Sequence, residues 1–104
     1  MDINNLLAEL FKSMAHPLRI KILINLSEEE NFVCELAKCI GEGQPQVSRA
    51  LAQLKDAGLI VSERKGNKIC YKLSSYEITQ IINSAKQIIK RQSSLIIKTI
   101  QKGD

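Results

Sequence analysis

Between Cys34 and Gly58 the chain reads CELAKCIGEGQPQVSRALAQLKDAG, two short amphipathic stretches parted by a Gly-Glu-Gly step. Val33, Leu36, Ala37 and Ile40 recur at helical spacing and predict a helix over roughly Val33 to Ile40. Gly41-Glu42-Gly43 ends it and makes the turn. Pro45 suits the opening of the next helix, where a missing N–H costs nothing, and Gly58 stands where a left-handed cap is wanted. Within that second helix Val47, Leu51 and Leu54 form the buried stripe, which turns Gln46, Ser48, Arg49, Ala52 and Gln53 outward. This is the helix-turn-helix plan, whose second helix enters the major groove of duplex DNA.

The flanks complete one architecture. Leu6, Leu7, Leu10, Phe11 and Met14 predict a first helix of about three turns, with Asp2 as its cap, broken at His16-Pro17. A second helix from Pro17 to about Leu26 is apolar nearly all round and is expected to lie centrally, with Ser27–Asn31 as its polar exit loop. Downstream, Leu59–Lys65 and Lys68–Leu73 flank Gly66-Asn67, a two-residue turn signal between β-formers, and predict a hairpin. Ser74 and Glu77 have capping-box spacing for a last helix. That helix carries Ile78, Ile81, Ile82, Ala85, Ile88, Ile89, Leu95 and Ile96 as a heptad seam, interrupted by Gln92 and Thr99. The expected fold is mostly α with a small β-hairpin wing: a winged helix-turn-helix with five helices and the wing between the fourth and fifth.

At 104 residues the chain is read as a single domain, 1–104, small enough that a subunit interface would add usefully to its buried surface. A net charge of +4 suits a polyanionic partner without requiring one. Trp is absent and Phe11, Phe32, Tyr71 and Tyr76 are the only aromatics, which disfavours recognition of single strands by base stacking and leaves duplex readout. No apolar run approaches the ~18 residues that cross a bilayer and no leader signature is present, so the expectation is a cytoplasmic protein with no membrane partner. Three cysteines without framework spacing agree with free thiols.

The reading face is expected to consist of Gln44, Gln46, Ser48, Arg49 and Gln53, with small Ala50 and Ala52 permitting close approach. Amides pair with adenine and guanidinium with guanine at major-groove edges. An isolated helix with this face would count as merely solvated; the preceding helix, the turn and the hairpin reverse that judgement. Around the wing tip, Arg64, Lys65 and Lys68, with Lys72 further back, are placed to meet phosphates, and lysines there also discourage sheet-to-sheet pairing. The isoleucine stripe exceeds what one face of a small domain needs. A homodimer is therefore expected, through Ile81, Ile82, Ala85, Ile88 and Ile89 with Leu6, Leu10 and Met14 contributing. Such a pair matches inverted half-sites about one helical turn, ~34 Å, apart.

For the cysteines the default is a buried, inert thiol. Cys34 and Cys39 lie ~140° apart around the helical wheel, so an intact helix keeps both sulfurs from one ion at the ~2.3 Å of a metal–thiolate bond. Cys70 falls on the hairpin's second strand, on the opposite face from Ile69. His16, the lone histidine, is read as a cap or packing residue. No oxyanion loop or orienting acid accompanies any nucleophile, so enzyme activity is not expected.

From about Leu10 to Leu73 the chain resembles the ArsR family of arsenic- and metal-responsive winged-helix repressors. The likeness rests on SMAHPLRIKIL at 13–23, VCELA at 33–37, QPQVSRAL at 44–51, LKDAGLI at 54–60 and KGNKICYKL at 65–73. It implies a homodimer joined through the first and last helices that represses an operon, on double-stranded operator DNA with an imperfect inverted repeat, until an effector weakens binding. Arsenic-sensing members begin the third helix with Cys-Val-Cys-x-x-Cys. Phe32, Val33, Cys34 and Ala37 occupy those positions here, so one thiol survives, and Cys39 matches no site of the family. Zinc sensors place Asp and His pairs on the last helix, which here opens with Ser74, Ser75, Tyr76 and Glu77 and has no His. The cysteine pair of the persulfide sensors is also missing. What the resemblance leaves is arsenite or another thiophilic effector at Cys34, with Cys39 as a further thiol candidate; alternatives are a regulator without such a ligand and a protein-interaction module.

Overall fold

The computed structural model describes residues 2–102, and side chains as far as residue 93. Helix α1 (Ile3–Met14) opens at Asp2, whose carboxylate accepts the Asn4 N–H at 3.0 Å, satisfying one of the free donors at the helix start. Helix α2 (Pro17–Glu28) follows with its proline in the first turn. His16 holds the N-cap position without making a side-chain cap bond. Ile22, Leu23 and Leu26 of α2 are buried and Leu18, Ile20 and Ile24 pack against the same core, which gives the central placement expected of an all-round apolar helix.

The segment expected to be a polar exit loop is partly regular. α2 continues through Glu28, and Asn31–Phe32 form a short strand, β1. β1 pairs antiparallel with β3 (Lys68–Leu73), Asn31 opposite Tyr71 and Phe32 opposite Cys70. β3 also pairs with β2 (Ile60–Lys65), so the wing is a three-stranded sheet in the order β1-β3-β2 rather than a bare hairpin. Local polarity concealed this: Asn31 is paired by a partner some 40 residues away, a contact that periodicity does not report. Positive φ at Gly66 alone, with Lys65 opposite Lys68, is the pattern of a type II′ turn.

Helix α3 (Val33–Ile40) ends on left-handed Gly41 at φ 81°. Helix α4 (Gln44–Asp56) buries Val47, Ala50, Leu51 and Leu54. Ala50 therefore belongs to the core and not to the reading face, because i, i+3 and i+4 positions from Val47 share one side of the helix. Helix α5 (Glu77–Lys102) begins later than a Ser74 cap requires. The Ser74 hydroxyl instead donates to the Gly58 carbonyl at 2.7 Å and its N–H bonds to Leu59, tying the end of the sheet to the end of α4.

Among the described side chains of α5, those of its first turns pack on the core: Ile78 and Ile82 are buried and Ile81 half-buried, whereas Ile88 and Ile89 are 54% and 61% exposed. Ile82, at 7%, and buried Met14 pack mainly into the protein's own interior, yet both line an apolar groove on this face, and Leu10 is half-buried. The seam positions Leu95, Ile96 and Thr99 lie outside the residues whose side chains are described.

Candidate nucleic-acid interface

Packing decides what α4 can show. With Val47, Leu51 and Leu54 fully buried, Gln44, Gln46, Ser48, Arg49, Ala52 and Gln53 are all held exposed, as the sequence pattern predicts. The Gln46 side chain folds back over Gly43, whose missing Cβ would otherwise meet its carbonyl oxygen. His16, Arg19, Gln46, Arg49 and Gln53 line a cavity of about 340 Å³ between the start of α2 and the outer side of α4. No carboxylate lines it. Two guanidiniums and an imidazole around amides make a surface suited to phosphates and base edges.

Arg19 is the residue at this surface that sequence reasoning missed. It looked like one polar position on an apolar helix, yet its Nη2 donates to Gln53 Oε1 at 2.6 Å and its Nη1 to the Ser13 carbonyl at 2.9 Å. A pair 34 positions apart leaves no trace in helical periodicity.

The wing cations differ from one another. Lys65 is ion-paired with Glu30, which follows α2, so it is engaged by the protein itself rather than free for phosphate. That hydrogen bond and charge hold the Glu30 carboxyl below its ordinary range and the Lys65 ammonium above its own. The Lys68 ammonium sits 5.5 Å from the centre of the Phe32 ring, a cation–π distance. Arg64 is exposed and takes part in neither ion pair found among the described residues, Lys65–Glu30 and Lys38–Glu35. Lys72 is exposed on the central strand.

The cysteines separate by environment. Cys70 is buried on the sheet face shared with Phe32 and Glu63, and burial, then the negative charge of Glu30, pushes its thiol up from the ordinary value. Cys34 is half-buried. Cys39 is exposed, contrary to the default of a buried thiol, because Leu36 and Ala37 take the core face of α3. No group of three or more His, Cys, Asp or Glu side chains able to hold a metal occurs among the described residues.

Residues 16–62 match the model of the arsR family of bacterial regulatory proteins. The biofilm growth-associated repressor of Xylella fastidiosa is 34% identical over 88 residues, 85% of this chain and 77% of that one. The chain belongs to the arsR family. The Mycobacterium tuberculosis protein Rv0081 superposes with a TM-score of 0.84 at 32% identity, covering 93% of this chain and 98% of its own. The arsenical resistance operon repressor of Escherichia coli is 38% identical over 69 residues, 65% of this chain and 59% of that repressor. This arsR-family chain is accordingly a winged helix-turn-helix DNA-binding regulator and not an enzyme. No helix among its described residues is long and apolar enough to cross a membrane.

Proposed function

We propose that this protein is a transcriptional repressor that binds double-stranded operator DNA as a homodimer, α4 reading the major groove of each half of an imperfect inverted repeat and the wing meeting the flanking backbone. The observation that carries this reading is the division of α4: one side wholly buried, the other an exposed row of Gln46, Arg49 and Gln53 beside Arg19, with no acidic side chain lining the adjoining cavity. Arg49 makes the base-edge contact that discriminates, and Arg64 with Lys68 supplies the salt-dependent part. Selection from a randomised duplex pool is expected to return an inverted repeat. Arg49→Ala is expected to weaken binding to the selected repeat by roughly ten- to a hundredfold while leaving binding to random duplex nearly unchanged. Equal affinity of the native protein for the repeat and for random duplex would overturn the reading.

Effector control is the finer part of the reading. The donors do not fit a three-thiolate arsenite site within one subunit: Ala37 replaces one sulfur, Phe32 another, and exposed Cys39 stands on a different face of α3 from Cys34. What their accessibility favours is a thiol-dependent release in which Cys34, with Cys39, is modified or bridged to a thiol outside its own helix. If so, Cys34→Ser holds the operator when arsenite or a mild thiol oxidant is added, while the native protein lets go. Release unchanged in Cys34→Ser removes the thiol from the mechanism and leaves the DNA-binding role intact.

A further inference from the structure

The contact between α2 and α4 has a consequence for which base the recognition helix accepts. Arg19 lies in the first turn of α2, half-buried, with its guanidinium spanning two elements. One nitrogen is anchored on the Ser13 carbonyl in the last turn of α1, a group that intrahelical bonding leaves free. The other reaches Gln53 Oε1 at 2.6 Å. Arginine has donors only, so the amide end facing it has to be the oxygen. The amide nitrogen of exposed Gln53 is thereby the end left for other partners. An unconstrained glutamine reads bases in either sense, since it offers an acceptor and two donors. Gln53 has its acceptor engaged by a charged donor, the stronger class of hydrogen bond.

We propose that Arg19 is a positioning residue for base selection: by holding Gln53 Oε1 it makes Gln53 meet the groove as a hydrogen-bond donor, so that one position in each half-site is selected against cytosine. In the major groove guanine offers N7 and O6, adenine N7, and thymine O4 as acceptors, whereas cytosine offers only its N4 donor. Two donors facing one another leave both unsatisfied, and that mismatch carries the discrimination. The inference rests on the DNA-reading role of α4 and assigns a chemical sense to one of its side chains. Arg19 itself need touch no base.

The test is selection from a randomised duplex pool by the native protein, Arg19→Met, Arg19→Lys, Gln53→Ala and the Arg19→Met/Gln53→Ala double variant, with folding followed by circular dichroism. In the native pool one position per half-site is expected to be depleted of cytosine. Arg19→Met, which lets the amide turn over, is expected to raise cytosine there about fivefold or more while the rest of the repeat is kept. Gln53→Ala is expected to erase the preference, and the double variant to match Gln53→Ala alone. Arg19→Lys, still a pure donor, is expected to keep the depletion. If Arg19→Met does not fold, Arg19→Gln replaces it, because an amide can donate to Ser13 yet impose no sense on Gln53. Unchanged depletion in folded Arg19→Met or Arg19→Gln or in Gln53→Ala, lost depletion in folded Arg19→Lys, or a uniform weakening across all positions, overturns the inference while the repeat itself upholds the DNA-binding reading. A native pool with no repeat overturns both.

Discussion

At the scale of single residues, environment separates groups that the sequence writes identically. Three cysteines share one letter, but Cys39 faces water, Cys34 is half-covered, and Cys70 is buried on the sheet face it shares with Phe32 and Glu63, near Glu30. Only a thiolate attacks an alkylating reagent, and both burial and a neighbouring negative charge disfavour the thiolate. Iodoacetamide labelling at neutral pH, followed by peptide mass spectrometry, is therefore expected to modify Cys39 first and Cys70 last. Because the Cys70 thiol is pushed up, its lag should persist through the pH at which an ordinary cysteine is ionised and shrink only above it. Labelling of Cys70 as fast as Cys39 would contradict the burial described. The lysines teach the same lesson: Lys65 and Lys68 both flank the wing turn, but one is ion-paired to Glu30 and the other lies over Phe32.

Among the elements, helix ends are fixed by local chemistry and helix surfaces by their neighbours. Asp2, Pro17, Gly41, Pro45 and Gly58 punctuate the chain where composition predicts, since capping and left-handed turns depend on a few adjacent residues. Gly58 is the informative test. Its φ is +80° and a Cβ there would meet nothing within 4 Å, so strain rather than collision limits substitution. Gly58→Ala is expected to cost about 1–2 kcal/mol, the left-handed penalty of an L-residue, read as a lower denaturant midpoint with an unchanged slope. The Ser74–Glu77 spacing shows the converse. A capping-box pattern is written there, but the Ser74 hydroxyl is drawn to the Gly58 carbonyl by a contact that sequence proximity does not supply.

For the molecule as a whole, the apolar surface left over points to its assembly. Ile88 and Ile89 stand exposed past the packed turns of α5, and Phe11 of α1, 51% exposed, joins Ile81, Ala85 and Ile89 around an apolar groove of about 360 Å³. Phe11, Ile3 and Leu7 thus extend the surface assigned from the isoleucine seam, while Ile82, mostly buried, lines the groove from below and Leu10 is half-buried beside it. A second copy covering this face is part of the proposed repressor. Replacing Ile88 and Ile89 together by glutamate alters no buried position of the subunit, so the fold should persist. Sedimentation is expected to show a monomer, and affinity for an inverted repeat is expected to drop by about a hundredfold or more once two linked contacts become independent. A double variant that still sediments as a dimer would place the interface elsewhere.

What the sequence by itself determined is whatever short-range periodicity and turn chemistry encode: five helices and their order, the glycine and proline boundaries, the buried stripe of α4 and hence its exposed row. Those rules act over four residues or fewer. What only the tertiary structure decided is every pairing across tens of residues: β1 against β3, Lys65 with Glu30, Ser74 with Gly58, and Arg19 with Gln53. Such partners are selected by how the helices and sheet pack, and packing is a property of the assembled core rather than of any window along the chain.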